Sequence, residues 1–241
     1  MAKVRVCGHR GAASRAPENT LAGIALARSL GVERVEVDLR LTRDEEVVLH
    51  HDRDLGRTDN GRGPVREADL EHLQTLDAGS WFDPGFRDQR IPSLGDLLAA
   101  SGRVLCWNLE LKTDGDDSAV RRQILKDAVL TGIAAPGIFP RVLITSFDHD
   151  LIREILSVAR APRCGFIFGH HVPVPADHAT TAAVFSMQHD LITADGVARA
   201  HDAGKEVHAW TVNDRVTLER MAAMGVDEVI SDDPGLMLAL L

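Results

Sequence analysis

The chain has 241 residues, 44% of them hydrophobic, with a formal net charge of -9. That length suits one large domain with a full core, a size that α/β barrels commonly occupy. The acidic balance argues against nucleic acid or an anionic membrane as the main partner, since either favours clustered Lys and Arg. No signal-peptide core or membrane span follows Met1, so a cytoplasmic location is expected.

The first apolar run, Val4–Cys7, reads as a strand, and Asn19–Leu30 reads as a helix stopped by Gly31. Between them stand His9-Arg10-Gly11 and Pro17-Glu18-Asn19-Thr20. Arg10 can grip phosphate through charge-assisted hydrogen bonds, and Gly11 lets the backbone turn close to a ligand. The Pro17 segment reads as a helix start, with Glu18 placed to orient Arg10 by an ion pair.

Val35–Leu41 and Val47–His51 are too close for a helical crossover and read as an antiparallel hairpin. A turn centred on Asp44 and Glu45 sets Asp38 opposite His51, and Glu36 shares their face. His50 then falls on the other face, in a structural role.

Residues 53–90 turn rich in Gly, Pro and Asp around one short helix near Glu67–Leu76, and read as an insertion over one end of the sheet. Trp81, Phe82 and Phe86 serve most simply to pack it down, and a substrate wall is their secondary role. Further on, strands at Val104–Leu111, Val142–Thr145 and Val207–Val212 alternate with helices at Ala119–Leu130, Leu151–Val158 and Val216–Met224. Strands also fall at Cys164–Phe168, Ala183–Ser186 and Glu228–Ser231. The alternation indicates βα units around a mainly parallel sheet. Cys7, Cys106 and Cys164 read as buried free thiols, and His170, His171 and His178 as a Pro-interrupted solvated loop without zinc spacing, a substrate-facing loop being the alternative.

Glu36, Asp38 and Glu110 are three carboxylates at strand ends, the oxygen donors that Mg²⁺ or Ca²⁺ prefers. Pairing with Arg34, Arg40 or Lys112 on solvated faces is the competing account. His9 and His51 are suited to paired acid and base work. Lys112 shares a side with Glu110 and can supply a second phosphate contact.

These residues fall in motifs that resemble the glycerophosphodiester phosphodiesterase family: His9-Arg10-Gly11-Ala12, Pro17-Glu18-Asn19-Thr20, Glu36-x-Asp38 and His50-His51-Asp52. Gly79-Ser80-Trp81-Phe82, Glu110-Leu111-Lys112, Ser146-Phe147, Trp210-Thr211-Val212-Asn213 and Ser231-Asp232-Asp233-Pro234 continue the pattern in order. The resemblance implies a TIM-type (β/α) barrel over a single domain, 1–241, with one antiparallel hairpin strand and an insertion at about 53–90. It implies metal-dependent hydrolysis of glycerophosphodiesters to sn-glycerol 3-phosphate and an alcohol. Carried over by motif, Glu36, Asp38 and Glu110 hold the metal, His9 and His51 move protons, Arg10 and Lys112 contact phosphate, Glu18 supports the site and Trp210 walls the glycerol. Activity on lysophospholipids, or a silent phosphodiester-binding module, are the alternatives. The chain departs from the family in Gly31-Val32-Glu33, where Gly-Ala-Asp is usual, and in lacking Gly in the hairpin turn Asp44-Glu45-Glu46.

Overall fold

The structure is a computed structural model that describes residues 4–100, 106–174 and 181–241. β1 (Arg5–Gly8), β2 (Arg34–Leu41), β4 (Cys106–Leu111), β5 (Val142–Ser146), β6 (Arg163–Phe168), β7 (Val184–Gln188), β8 (Glu206–Trp210) and β9 (Glu228–Ser231) form a closed barrel. Each of these strands runs parallel to its neighbours, and β1 pairs with both β9 and β2 to close the ring. β3 (Val47–Leu49) adds to β2 antiparallel and lies outside the ring. The expected TIM-type barrel and its hairpin strand are both present.

The strands are apolar runs because each buries both faces, one inward and one against helices. Val35, Val37 and Leu39 of β2, with Leu109, Ile144 and Val207 on other strands, are fully buried. The main covering helices are α1 (Leu21–Ser29), α4 (Ala119–Gly132), α5 (His149–Leu156), α6 (Ala194–Asp202), α7 (Arg215–Met224) and α8 (Pro234–Leu240). Each begins at a capping side chain, Thr20, Ser118, Asp148, Thr193, Asp214 or Asp233, that accepts a hydrogen bond from the backbone N–H three residues on. These caps satisfy helix donors that would otherwise be orphaned where chain leaves strand for helix.

α6, α8 and the short helix Leu94–Ala100 went unread in the sequence, although Thr193 as a cap and Pro234 at a first helical position are start signals. Val104 and Leu105 of the predicted fourth strand lie outside the described residues. The insertion folds over its own small core of Val48, Leu55, Val65, Leu73, Leu76, Ala78 and Ile91. Its helical part is shorter than expected, a 3-10 turn at Val65–Glu67 and a single turn of helix at Leu70–Leu73. Cys7 and Cys164 are buried and Cys106 half-buried, all three free. Among the described residues, no helix is long and apolar enough to cross a membrane.

The hairpin register differs by one residue from the expected one. Leu39 faces Leu49 and Leu41 faces Val47, so the ladder continues to Asp38 opposite His50, whose N–H donates to the Asp38 carbonyl at 3.0 Å. The loop holds three residues, Arg43 to Glu45, and its centre is Asp44 alone. Glu45 takes a left-handed φ of 65° where glycine is usual, and Thr42 Oγ1 accepts from the Glu46 N–H and contacts Asp44.

Candidate active site

The carboxyl ends of the strands deliver the site, as in barrel enzymes generally. β1 hands the chain to His9 and Arg10, β2 carries Glu36 and Asp38, and β4 carries Glu110 with Lys112 just beyond. The parallel register sets Asp38 beside Glu110. Oxygens of Glu36, Asp38 and Glu110 lie within 4.8 Å of one another.

Burial together with the charge of Asp38 pushes Glu36 up to about 8, and burial likewise raises Glu110. Burial alone would raise Asp38 too, but Lys112 and Arg10 hold it well below the ordinary carboxylate range. Lys112 Nζ sits 3.0 Å from Asp38 and also bonds Glu110, while Arg10 Nε lies 3.1 Å from Asp38. Glu36 Oε1 is nevertheless buried without a hydrogen-bond donor, and Lys112 Nζ is the contact of Asp38 Oδ1. An all-oxygen donor set with an orphaned, buried carboxylate oxygen on Glu36 fits a hard divalent cation. Of the cations in the competing account, Arg34 and Arg40 are paired with Glu228 and Asp114 at 3.0 Å each, whereas Lys112 does pair with Asp38 and Glu110. A second acidic group, Asp114, Asp116 and Asp117, is matched by Arg53, Arg66 and Arg121.

His9 and His51 are held in the same way. His9 Nδ1 donates to Asp232 at 2.6 Å, and His51 Nδ1 donates to Asp52 at 2.6 Å. A carboxylate can only accept, so each bond fixes the tautomer and leaves Nε2 as the other ring nitrogen. His9 Nε2 stands 3.9 Å from Glu36. Burial works against protonating His9, yet the Asp232 hydrogen bond and the charge of Glu36 outweigh it and raise its pKa. Burial lowers that of His51.

His51 thus joins the site although it does not oppose Asp38. β3 stops at Leu49, so strand alternation no longer governs where His51 points. His50 has the structural role expected of it: its ring nitrogens reach the Asp52 carbonyl at 2.9 Å and Asp59 at 3.1 Å, anchoring the insertion.

Glu18 accepts from Arg10 at 2.8 Å and from Arg57, which also binds Asp52. One ionic chain therefore links the supports of the two sides of the site. Gly11 differs from its expected use. At φ 99° it faces the α1 backbone, where an added Cβ would meet Gly23 C at 2.7 Å, so its freedom serves strand–helix packing.

His9, Arg10, Glu36, His51, Glu110 and Lys112 border a cavity of about 380 Å³, whose opposite wall is aromatic. Phe147 and Trp210 meet edge to face at 5.8 Å, and the ring of His171 packs 4.9 Å from that of Phe147. His171 is exposed, in keeping with a solvated loop, and its ring also lines the cavity, the substrate-facing placement that the stretch allowed. His170 remains exposed and pairs with Asp190, and His178 lies outside the described residues. Trp81, Phe82 and Phe86 do not line the cavity. They pack on one another, with Trp81 41% exposed.

Asn19, Asp52, Asp232 and Phe147 were missed as site members. Each lies inside a motif already noted, so proximity to His51, Asp38 or a strand end was the available signal.

Fold and site together define an enzyme of the parallel-barrel class, with its polar groups gathered at the carboxyl ends of the strands. Residues 9–236 match the model of the Glycerophosphoryl diester phosphodiesterase family. A glycerophosphodiester phosphodiesterase of Caldanaerobacter subterraneus is 31% identical over 241 residues, covering 99% of this chain and 98% of that protein. The structure of an Oleispira antarctica phosphodiesterase, in complex with the product sn-glycerol-3-phosphate, matches with a TM-score of 0.89 and 26% identity over 98% of this chain and 96% of that one. A glycerophosphodiester phosphodiesterase from Agrobacterium tumefaciens matches with a TM-score of 0.82 and 26% identity, covering 98% and 100%. The chain belongs to the glycerophosphoryl diester phosphodiesterase family.

Proposed function

We propose that this chain, as one domain over residues 1–241, hydrolyses glycerophosphodiesters to sn-glycerol 3-phosphate and an alcohol. The observation that carries the reading is the pair of imidazoles, each fixed at Nδ1 by a carboxylate, facing one cavity beside three clustered acids. One imidazole takes the proton of the glycerol hydroxyl next to the ester. That oxygen bonds phosphorus while the P–O bond to the alcohol breaks, and the other imidazole protonates the departing oxygen. Water then opens the cyclic phosphodiester with the two roles exchanged.

Arg10 and Lys112 neutralise the phosphate, Glu18 holds Arg10 in place, and Trp210 with Phe147 packs the carbon face of glycerol. Glu36, Asp38 and Glu110 would hold Mg²⁺ or Ca²⁺, which supplies Lewis-acid stabilisation of phosphate charge when bound. Preference for lysophospholipids would call for an apolar wall, and the aromatics that could have formed it lie away from the cavity.

His9→Ala and His51→Ala should each lower kcat on glycerophosphocholine by about 10²–10⁴. Near wild-type turnover in either folded variant overturns the assignment. Exhaustive chelation should abolish turnover and added Mg²⁺ or Ca²⁺ restore it; activity that survives chelation removes the three acids from the ligand role.

A further inference from the structure

The insertion after β3 reaches back toward the site through one side chain, Arg57, which directs two edges of its guanidinium at two carboxylates. Nη2 and Nη1 bond Glu18 Oε1 and Oε2 at 2.7 and 3.0 Å, while Nε and Nη2 bond the two oxygens of Asp52. Asp52 is the acid that holds His51, and Glu18 is the acid that holds Arg10. We propose that Arg57 is a positioning residue, through which the insertion sets His51 by way of Asp52 and Arg10 by way of Glu18. The proposal rests on the phosphodiesterase reading above.

Among the described residues, the Asp52 carboxylate is bonded only by His51 and Arg57, and the Glu18 carboxylate only by Arg10 and Arg57. Burial works to raise the pKa of both acids, and the Arg57 hydrogen bonds lead the effects that outweigh it, so both stay ionised acceptors. The other imidazole is served differently. Asp232, which holds His9, is fixed by Asn213 beyond β8, through Nδ2 at 2.6 Å and by accepting from the Asp232 N–H at 2.9 Å. On the His51 side, β3 stops at Leu49 and no strand reaches Asp52. Arg40 Nε holds the His51 carbonyl at 2.9 Å, which fixes main chain and leaves the Asp52 side chain to Arg57.

Arg57 is itself set by the insertion. Leu55, two residues before it, packs in the insertion's small core, and Asp59, two residues after it, is buried. Asp59 accepts from the Gly56 and Gly61 N–H groups at 3.1 and 2.8 Å, so the turn that carries Arg57 is closed on both sides. With its side chain 46% exposed, Arg57 gains little stability from these ion pairs, and their consequence falls on geometry. A planar fork suits that task, since each edge grips one carboxylate, whereas the ammonium of Lys is a single point.

Arg57→Ala should lower kcat on glycerophosphocholine about 10–100-fold through His51, and raise KM severalfold through Arg10. The two losses should separate. In an Asp52→Ala background the substitution should raise KM and leave kcat where it stands, and in a Glu18→Ala background it should lower kcat and leave KM. A residue that only braces the fold gives the same losses in every background; that result, or wild-type kinetics in folded Arg57→Ala, overturns the proposal. Arg57→Lys keeps the charge without the fork and carries the same crossed test should the first variant misfold, and wild-type kinetics there overturn the proposal as well. Turnover that depends on His51 and not on Arg57 overturns the positioning role alone. A wild type that cleaves no glycerophosphodiester overturns the phosphodiesterase reading and the positioning role with it.

Discussion

Asn19 performs two tasks at one position. Its Nδ2 donates to Asp38 Oδ2 at 2.8 Å, and its Oδ1 accepts from the Asp38 N–H at 3.1 Å, so one amide secures both side chain and backbone of a proposed ligand. It does so from a φ of 54°, a left-handed conformation that Asn tolerates better than most residues, and Arg10 is similar at 50°. Such backbone cost, concentrated at a site, is held by the bonds around it. Asn19→Ala should destabilise the fold by about 1–3 kcal/mol. It should also weaken cation affinity about 10–100-fold, as loss of a ligand's support generally does. Calorimetric titration with Mg²⁺ or Ca²⁺ measures the second effect, and unaltered affinity would remove Asn19 from the site. The sequence placed Asn19 in a helix start because Thr20, the true cap, adjoins it. Nothing local distinguishes an Asn that caps from one that reaches a strand 19 positions away.

The hairpin shows at the scale of an element what pattern can and cannot supply. Apolar runs separated by five residues dictate an antiparallel pair, and that pair forms. Register depends on whether the loop has an even or odd count, which here rests on Glu45 adopting a conformation its residue type disfavours. Replacing Glu45 by Gly should relieve that conformation and raise stability by about 0.5–1 kcal/mol, after allowing for the greater freedom of Gly in the unfolded chain. Urea denaturation reads this as a higher midpoint at constant slope; a lower midpoint would show that the Glu45 side chain contributes more than its backbone costs. His9, Glu36 and Glu110 were legible because strand ends in a barrel converge by topology alone. His51 reads into the site through an incorrect register, and the part of the His170-His171 loop that reaches the cavity was not legible because the loop carries no periodic signal to show how far it extends.

At both ends of the barrel, carboxylates are held by cations and hydrogen bonds, some near in the chain and some distant. At the amino-terminal end of the barrel, the His208 hydrogen bond and Arg163 hold Glu206 well below its ordinary range. At the other end, burial of Asp52 is outweighed by Arg57 and His51, and it too is depressed. A depressed acid contributes stability that is present above its unfolded pKa of about 4 and is lost as pH falls toward the folded value. The urea midpoint should therefore drop between about pH 5 and 3. Glu206→Gln should be less stable than wild type at neutral pH and show a shallower drop; an identical profile would mean that these ion pairs do not couple folding to protons. Closure of the ring has one further consequence at β2. On the edge away from β4, β1 accompanies it only at Arg34 and Val35, and the segment after β3 reaches back no further than the Asp38 carbonyl, so the Asp38 N–H finds its partner in the Asn19 side chain. On that edge of β2 a side chain completes the pairing, while the opposite edge runs as an unbroken backbone ladder with β4. Side chains can be exchanged one mutation at a time, so this gap offers natural variation a place to retune the reaction without unzipping a strand.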